Sequence, residues 1–147
     1  VSETHSNEFN LVLLGRTLQE DFDKIFKKYD IDCIIIENQI SRIANRMKTL
    51  QGMIAQYFIM NNVKTIEFIS SINKLKLFVK KKITYKERKK MGIEITEKLI
   101  DINPFFLNFQ NLFSKHKKKD DLSDSFLQGI WYLNQHDLID LNLNINN

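Results

Sequence analysis

Three acidic side chains stand where carboxylates could bind a metal ion. Glu37 directly follows the apolar run 34–36, and open α/β sheets place their sites beyond the carboxyl ends of strands. Asp121 and Asp124 lie three positions apart at the predicted start of the last helix, so they share a face. Clustered carboxylates repel one another and need a cation, and oxygen-only ligands suit Mg²⁺ or Mn²⁺. Two such ions about 4 Å apart can activate a water molecule for phosphodiester hydrolysis.

Each of these acids also has an ordinary structural explanation. Glu37 could mark the point where a buried strand reaches solvent, and its position alone does not decide between the two. Acids at a helix N-terminus are commonly caps or partners of the helix dipole, which is the favoured interpretation of Asp121 and Asp124 taken alone. Asp120 lies four positions before Asp124 and competes for the same role. A metal site is favoured because these acids occur together and have basic runs on both sides.

Basic side chains concentrate in two runs, although the formal net charge of +4 is modest. One lysine run alone is more typical of a solvated loop, but two runs near a carboxylate cluster favour a polyanionic partner. The side chains in these runs that are predicted to contact such a partner are Lys74, Lys76, Lys80, Lys81, Lys82, Lys86, Arg88, Lys89, Lys90, Lys117, Lys118 and Lys119.

Composition excludes several other classes of protein. The chain has 147 residues, of which 43% are hydrophobic and 27% charged, so it is neither fibrous nor wholly disordered. The lone Cys33 excludes a disulfide framework; we interpret it as a small core residue in a reducing, intracellular setting. No apolar stretch reaches the roughly 20 residues that span a bilayer, so no membrane partner is expected.

The elements that must position these side chains alternate between helix and strand. Apolar residues at helical spacing predict helices over 11–29, 43–60 and 91–100 and from about residue 121. Short apolar runs predict buried strands over 31–36 and 66–69. Strands joined through helices imply crossover connections and an α/β fold. Two strands alone make no stable sheet, so further strands must come from another chain or from an absent N-terminal part.

Two details sharpen this prediction. The helix over 43–60 is apolar on more than one side, so we expect one face on the sheet and the other on a second subunit. The residue before a proline avoids the helical region, so Asn103-Pro104 should end the helix that precedes it.

A series of short motifs then carries a family resemblance. They are Ile36-Glu37-Asn38-Gln39, Asn45-Arg46-Met47-Lys48, Gln51-Gly52-Met53-Ile54, Tyr57-Phe58, Ser71-Ile72-Asn73-Lys74-Leu75-Lys76, Tyr85-Lys86-Glu87-Arg88-Lys89-Lys90 and Lys118-Lys119-Asp120-Asp121-Leu122-Ser123-Asp124-Ser125-Phe126. In this order they resemble the RuvC-like Holliday junction resolvases of large DNA viruses, of the poxvirus type, and of mitochondria. The resemblance extends from about Leu11 to Leu133.

The resemblance implies a fold, an activity and a site. The fold would be a ribonuclease-H-like mixed sheet flanked by helices, in a homodimer that cleaves four-way DNA junctions with two Mg²⁺ or Mn²⁺ ions. The strand-end Glu of the family corresponds to Glu37, and its Asp-x-x-Asp pair corresponds to Asp121 and Asp124. Arg46 and Lys48, which lie in the same motifs, join the side chains expected to contact DNA.

One part of the family pattern is missing. The family begins with a strand that carries an Asp in a D-x-G-x-x-N pattern, and nothing before Leu11 offers it. We therefore expect one ribonuclease-H-like domain over residues 1–147 that is incomplete at its N-terminus. Such a chain should bind junctions without cutting them.

Three functions are compatible with these features. The leading prediction is part of an endonuclease that resolves Holliday junctions during recombination or replication. The alternative is a non-catalytic nucleic-acid-binding module derived from a resolvase, and a weaker one is a ribonuclease-H-like nuclease with a different substrate. An intracellular location is expected, with viral factory, mitochondrion and nucleus not distinguished.

Overall fold

A computed structural model describes residues 10–39, 45–80 and 83–139. The chain divides into two compact units, unit 1 over Val1–Ile69 and unit 2 over Ser70–Asn147. The single ribonuclease-H-like domain expected over 1–147 stays a prediction.

Unit 1 contains the predicted alternation of helix and strand. Its elements are α1 (Leu11–Phe26), β1 (Cys33–Glu37), α2 (Asn45–Met60) and β2 (Thr65–Ile69). The side chain of Asn10 caps α1 by accepting a hydrogen bond from the Leu13 N–H at 3.0 Å. Residues 43 and 44, where the second helix was predicted to begin, lie outside the described part of the chain.

The two strands pair in parallel, with Cys33 opposite Thr65 and Glu37 opposite Ile69. This confirms an α/β unit with a crossover through α2, and Cys33 is half-buried in it. Within the described residues the sheet consists of these two strands, which are parallel to each other. The larger mixed sheet of a ribonuclease-H-like fold therefore stays a prediction.

Aromatic rings join α1 to α2. Phe22 packs edge-on against Phe26 and Tyr57, with ring centroids 5.1 and 5.2 Å apart. Phe58 is only 3% exposed, so its side chain belongs to this inner face of α2. Ile59 and Met60, at the other end of the apolar pattern of α2, are 54% and 70% exposed. An exposed apolar side therefore exists on α2 and is carried near its C-terminus.

Unit 2 is helical. Its elements are a 3-10 turn at Asn73–Leu75, α3 (Tyr85–Ile102), a 3-10 turn at Leu107–Phe109, α4 (Gln110–Lys115) and α5 (Lys119–Gln135). The core is formed by Leu75 from the first turn, Ile95 and Leu99 from α3, and Leu127 from α5. These contacts bring the acidic start of α5 and the basic start of α3 into one packed body.

The prediction of a short helix over 91–100 is wrong at its start. α3 begins at Tyr85 because Thr84 and Glu87 form a capping box. The Thr84 hydroxyl accepts from the Glu87 N–H at 3.3 Å, and the Glu87 carboxylate accepts from the Thr84 N–H at 2.8 Å. Two backbone donors that a free helix end leaves unpaired are thereby satisfied. The helix ends at Ile102, as Asn103-Pro104 predicted.

Small residues let α3 and α5 approach closely. Gly92 lies against α5, where an added Cβ would meet Leu127 at 3.8 Å and Ser123 at 3.9 Å. The hydroxyls of Thr96 and Ser123 are buried without a hydrogen-bond partner among the described residues. Close packing of these two helices holds the start of α5 in place.

Candidate nucleic-acid interface

Glu37 lies at the carboxyl end of β1, as predicted, and is half-buried in unit 1. The chain after it is held by two hydrogen bonds. The Asn38 N–H donates to the Ile69 carbonyl at 2.8 Å, and the Gln39 N–H donates to the side-chain oxygen of Gln51 at 2.9 Å. The strand end and α2 together therefore hold the backbone around this carboxylate.

The acids of α5 lie within unit 2 and each has a lysine partner. Asp124 forms an ion pair with Lys74 from the first 3-10 turn. The Lys74 side chain is 12% exposed, so its charge is largely withdrawn from water and directed at this carboxylate. Asp121 lies 3.8 Å from Lys118 and its side chain is 67% exposed. α5 therefore turns Asp124 toward its neighbours and Asp121 toward solvent.

Asp120 faces α3. Its carboxylate accepts from the Lys89 ammonium at 2.6 Å, and its side chain is 29% exposed. This contact holds the pKa of Asp120 below its usual value. The pKa of Lys89 is raised, first by Asp120 and second by the Tyr85 side chain, because both favour the charged ammonium. Asp120 is thus the α5 acid most directly tied to another helix.

Many of the predicted DNA contacts are engaged inside unit 2. Lys119 pairs with Glu97 at 3.0 Å and Lys90 with Glu94 at 3.7 Å, in addition to the pairs of Lys74, Lys89 and Lys118. A well-exposed pair such as that of Lys90 with Glu94 contributes only about 0–1 kcal/mol, so such a lysine can exchange its carboxylate for a phosphate.

The remaining predicted contacts are distributed over both units. Lys76 lies over the ring of Trp131 at 5.9 Å from the centroid. Five others are exposed: Lys48 of unit 1, and Lys80, Lys86, Arg88 and Lys117 of unit 2. Arg46 is exposed at the start of α2 and has a partner of its own. Lys81 and Lys82 lie outside the described residues.

The acids of α5 supply oxygen donors of the kind that a metal ion binds. Within the described ranges, no group of three or more His, Cys, Asp or Glu side chains is arranged to hold a metal. Asp121 and Asp124 have the ligand chemistry that Mg²⁺ and Mn²⁺ prefer. As they stand, lysine ammonium groups neutralise them, so a metal would have to replace Lys74 at Asp124.

Sequence reasoning missed these lysine–carboxylate pairs. Lys74 and Asp124 are 50 positions apart, and Lys89 and Asp120 are 31 apart, so no local spacing relates them. The capping box of α3 was visible, because Thr84-x-x-Glu87 is the usual pattern of such a helix start. It would have placed Lys86, Arg88, Lys89 and Lys90 on a helix.

Unit 1 is thus a parallel strand–helix–strand unit with a carboxylate at the end of β1, and unit 2 is a helical unit whose acids lie among lysines, in an α/β protein of positive net charge. Comparison with known proteins identifies the family. The profile of the Poxvirus A22 protein family matches residues 13–136, and the chain belongs to this family of poxvirus Holliday junction resolvases.

A relative in a large DNA virus also matches most of the chain. The uncharacterized protein L451 of Acanthamoeba polyphaga mimivirus is 30% identical in an alignment of 156 positions that covers 90% of this chain. The chain spans 37% of the length of that relative. No solved structure was found to match. Among the described residues, no helix is both long and apolar enough to cross a membrane.

Proposed function

We propose that this chain is part of a Holliday junction resolvase, which hydrolyses phosphodiester bonds in four-way DNA junctions. The observation that carries the proposal is the family match over residues 13–136, since this span includes Glu37, Asp121 and Asp124. The grouping of α5 acids with lysines supports it, because such a surface attracts a phosphate backbone and holds acids beside it.

The proposed roles follow from the chemistry of the side chains. Glu37, Asp121 and Asp124 would hold Mg²⁺ or Mn²⁺, two ions per site, and the bound ions would supply an activated water and charge stabilisation. Lys74 neutralises Asp124 until DNA and metal arrive, which lowers the repulsion between the acids and an incoming phosphate.

The basic side chains would position DNA without reading its sequence. Lysine is a point charge with little directional preference, so the exposed Lys80 and Lys86 suit backbone phosphates and not base edges. A homodimer would present two sites to the two-fold symmetry of a four-way junction. The protein would work inside the infected or host cell, where branched DNA arises.

Binding by the chain itself tests the proposal. Fluorescence anisotropy should show tighter binding to a four-way junction than to a linear duplex of the same arm sequence. On duplex arms the logarithm of the binding constant should fall with the logarithm of salt concentration, by about 0.9 for each phosphate neutralised. Equal affinity for junction and duplex, or binding that salt does not weaken, would contradict the proposal.

A non-catalytic DNA-binding module is the second candidate. It is favoured by the ion pairs that already neutralise Asp120, Asp121 and Asp124, because a binding module needs no metal at these acids. Cleavage separates the two candidates. A version that carries a first strand with the D-x-G-x-x-N pattern should cut junctions in Mg²⁺ if the protein is a resolvase, and should only bind them otherwise.

A further inference from the structure

Unit 2 contains an open cavity of about 280 Å³ between the first 3-10 turn and the start of α3. Its lining consists of Ser71, Ile72, Lys74, Leu75, Lys76, Val79, Ile83 and Arg88. Leu75, Val79 and Ile83 also belong to the hydrophobic core of the unit, so the cavity floor is the edge of that core. The floor is therefore held by packing and does not depend on a ligand.

The charge of this cavity is positive. Three of its side chains are cationic and none is acidic among the described residues that line it. Lys74 forms an ion pair with Asp124, and the Lys76 ammonium lies over the ring of Trp131. Arg88 is exposed on α3, and its guanidinium takes part in none of the ion pairs found among the described residues. A guanidinium in this state can bind both oxygens of a phosphate in a planar, bidentate contact.

The walls of the cavity are aliphatic. Ile72 is 64% exposed at its mouth, an apolar surface that water covers unfavourably. At about 280 Å³ the cavity lies just below the roughly 300–1,000 Å³ that is common for small-molecule sites, so it suits one nucleotide base and not a base pair. Aliphatic walls with a cationic rim match a ligand that has a flat apolar face and an anionic group.

We propose that this cavity holds one unpaired nucleotide of a branched DNA strand, with the base against Ile72, Val79 and Ile83 and the phosphate at Arg88 and Lys76. The inference rests on the proposed function, because a resolvase meets DNA at a branch point. Inserting a paired base requires unpairing and unstacking, whereas a base already unpaired requires neither. The cavity therefore gives a preference for junctions with an unpaired nucleotide at their centre.

Anisotropy with two matched junctions tests this preference. One junction is fully paired, and the other carries one unpaired thymidine at the branch point. We expect the full chain to bind the second about tenfold more tightly, because only that junction offers a base that can enter the cavity without first being unpaired. A third measurement titrates the free mononucleotide dTMP.

Variants locate the effect in the cavity. Arg88→Gln removes the phosphate contact, and Ile72→Asp places a carboxylate at the mouth without disturbing the core, since Ile72 is exposed. Each should reduce the tenfold preference to about one, because the cavity then lacks its anion partner or repels the phosphate. Lys98→Gln is the control, since Lys98 is an exposed lysine of the same helix that lies outside the cavity lining. Lys98→Gln should keep the preference for the unpaired junction, while its affinity for both junctions falls by about as much as in Arg88→Gln.

The outcomes separate this inference from the proposed function. Equal binding of the two junctions, with both still bound above duplex, overturns the cavity assignment and leaves the resolvase proposal standing. Loss of the preference in Lys98→Gln as well as in Arg88→Gln also overturns it, because the effect is then general charge. If dTMP binds as tightly as the unpaired junction, the cavity is a mononucleotide site and not a DNA subsite. Failure to bind any junction above duplex contradicts the proposed function itself.

Discussion

Lysine partners distinguish the three acids at the start of α5 from one another. Asp120 and Asp124 are held by Lys89 and Lys74, whereas Asp121 is the most solvent-exposed of the three. An acid that is paired with a cation from another element is restricted in its orientation. One that projects into solvent can turn toward a ligand. The three acids therefore differ in how freely they could turn toward a metal ion. Substituting each acid ranks their importance for cleavage.

Cleavage should depend on the proposed site acids. In a version with the first strand present, Glu37→Gln, Asp121→Asn and Asp124→Asn should each lose Mg²⁺-dependent junction cleavage by orders of magnitude, while junction binding is retained or tightens. Each change removes a carboxylate from the metal site but leaves the lysines that hold phosphates. Gel-based cleavage and anisotropy on the same samples measure the two effects.

Asp120→Asn is the matched control for these substitutions. It lies about 100° around the helix from Asp121, so cleavage should survive its loss better. If Asp120→Asn abolishes cleavage and Asp121→Asn does not, the site uses the acid that faces Lys89. If all four variants cut at the parental rate, the proposed site is wrong.

A second residue-scale prediction concerns Asp23 in unit 1. Its pKa is lowered first by the hydrogen bond with Lys27, at 2.7 Å, and second by the hydroxyl of Tyr57, which donates at 2.8 Å. Lys27→Gln should therefore raise the pKa of Asp23 more than Tyr57→Phe does. Carboxylate chemical shifts followed by NMR across an acid titration give both values, and the reverse order would contradict this assignment.

The contacts of Asp23 with Lys27 and Tyr57 also determine how its contribution to the stability of the fold changes with pH. Because the folded pKa of Asp23 lies below the ordinary 3.8, its stabilising effect is complete above that pH. It is lost as pH falls through the lowered folded value. The contact also raises the pKa of Tyr57 to about 12, after the larger effect of burial, so the neutral phenol is favoured throughout this range.

At the scale of elements, the capping box decides where α3 begins. Thr84→Ala should destabilise the protein by about 1 kcal/mol, because it leaves the Glu87 N–H without its side-chain acceptor. Thermal or urea unfolding measures the loss. Thr49→Ala is a suitable control, since the Thr49 hydroxyl only donates to the Asn45 carbonyl within α2 and makes no cap. Equal losses in the two variants would show that the cap has no special effect.

The start of α3 also matters for function. Beginning the helix at Tyr85 places Lys89 opposite Asp120 and Arg88 beside the cavity. If the helix began near residue 91, these side chains would lie in a loop with no defined direction. The cap therefore links a local backbone motif to the arrangement of the proposed DNA-binding surface.

At the scale of the whole molecule, the exposed apolar side of α2 bears on assembly. Ile59 and Met60 are exposed, and we expect them to lie in the homodimer contact. Ile59→Asp and Met60→Asp should shift the protein toward monomer in sedimentation equilibrium, because each would bury an unpaired charge. Gln19→Glu, an exposed change on α1, should leave the distribution unaltered. If the unsubstituted protein is already monomeric at micromolar concentration without DNA, the prediction of a homodimer is contradicted.

The sequence by itself determined the elements that arise from local patterns. Apolar spacing placed α1, α2 and α5 within a few residues, and short branched runs placed β1 and β2, because helix and strand differ in the period of their buried side chains. Asn103-Pro104 ended α3 for a stereochemical reason that needs no tertiary contact. Glu37 at the end of a strand and Asp121 and Asp124 at the start of a helix were predicted on the same basis.

Only the tertiary structure decided which charges meet. The partnership of Lys74 with Asp124 and of Lys89 with Asp120 depends on how α5 packs against α3 and the first 3-10 turn, through Leu75, Leu99 and Leu127. Local spacing carries no information about contacts between residues 31 or 50 positions apart. The cavity at Arg88 has the same origin, because its walls come from both sides of residues 81 and 82 and exist only once the core has closed.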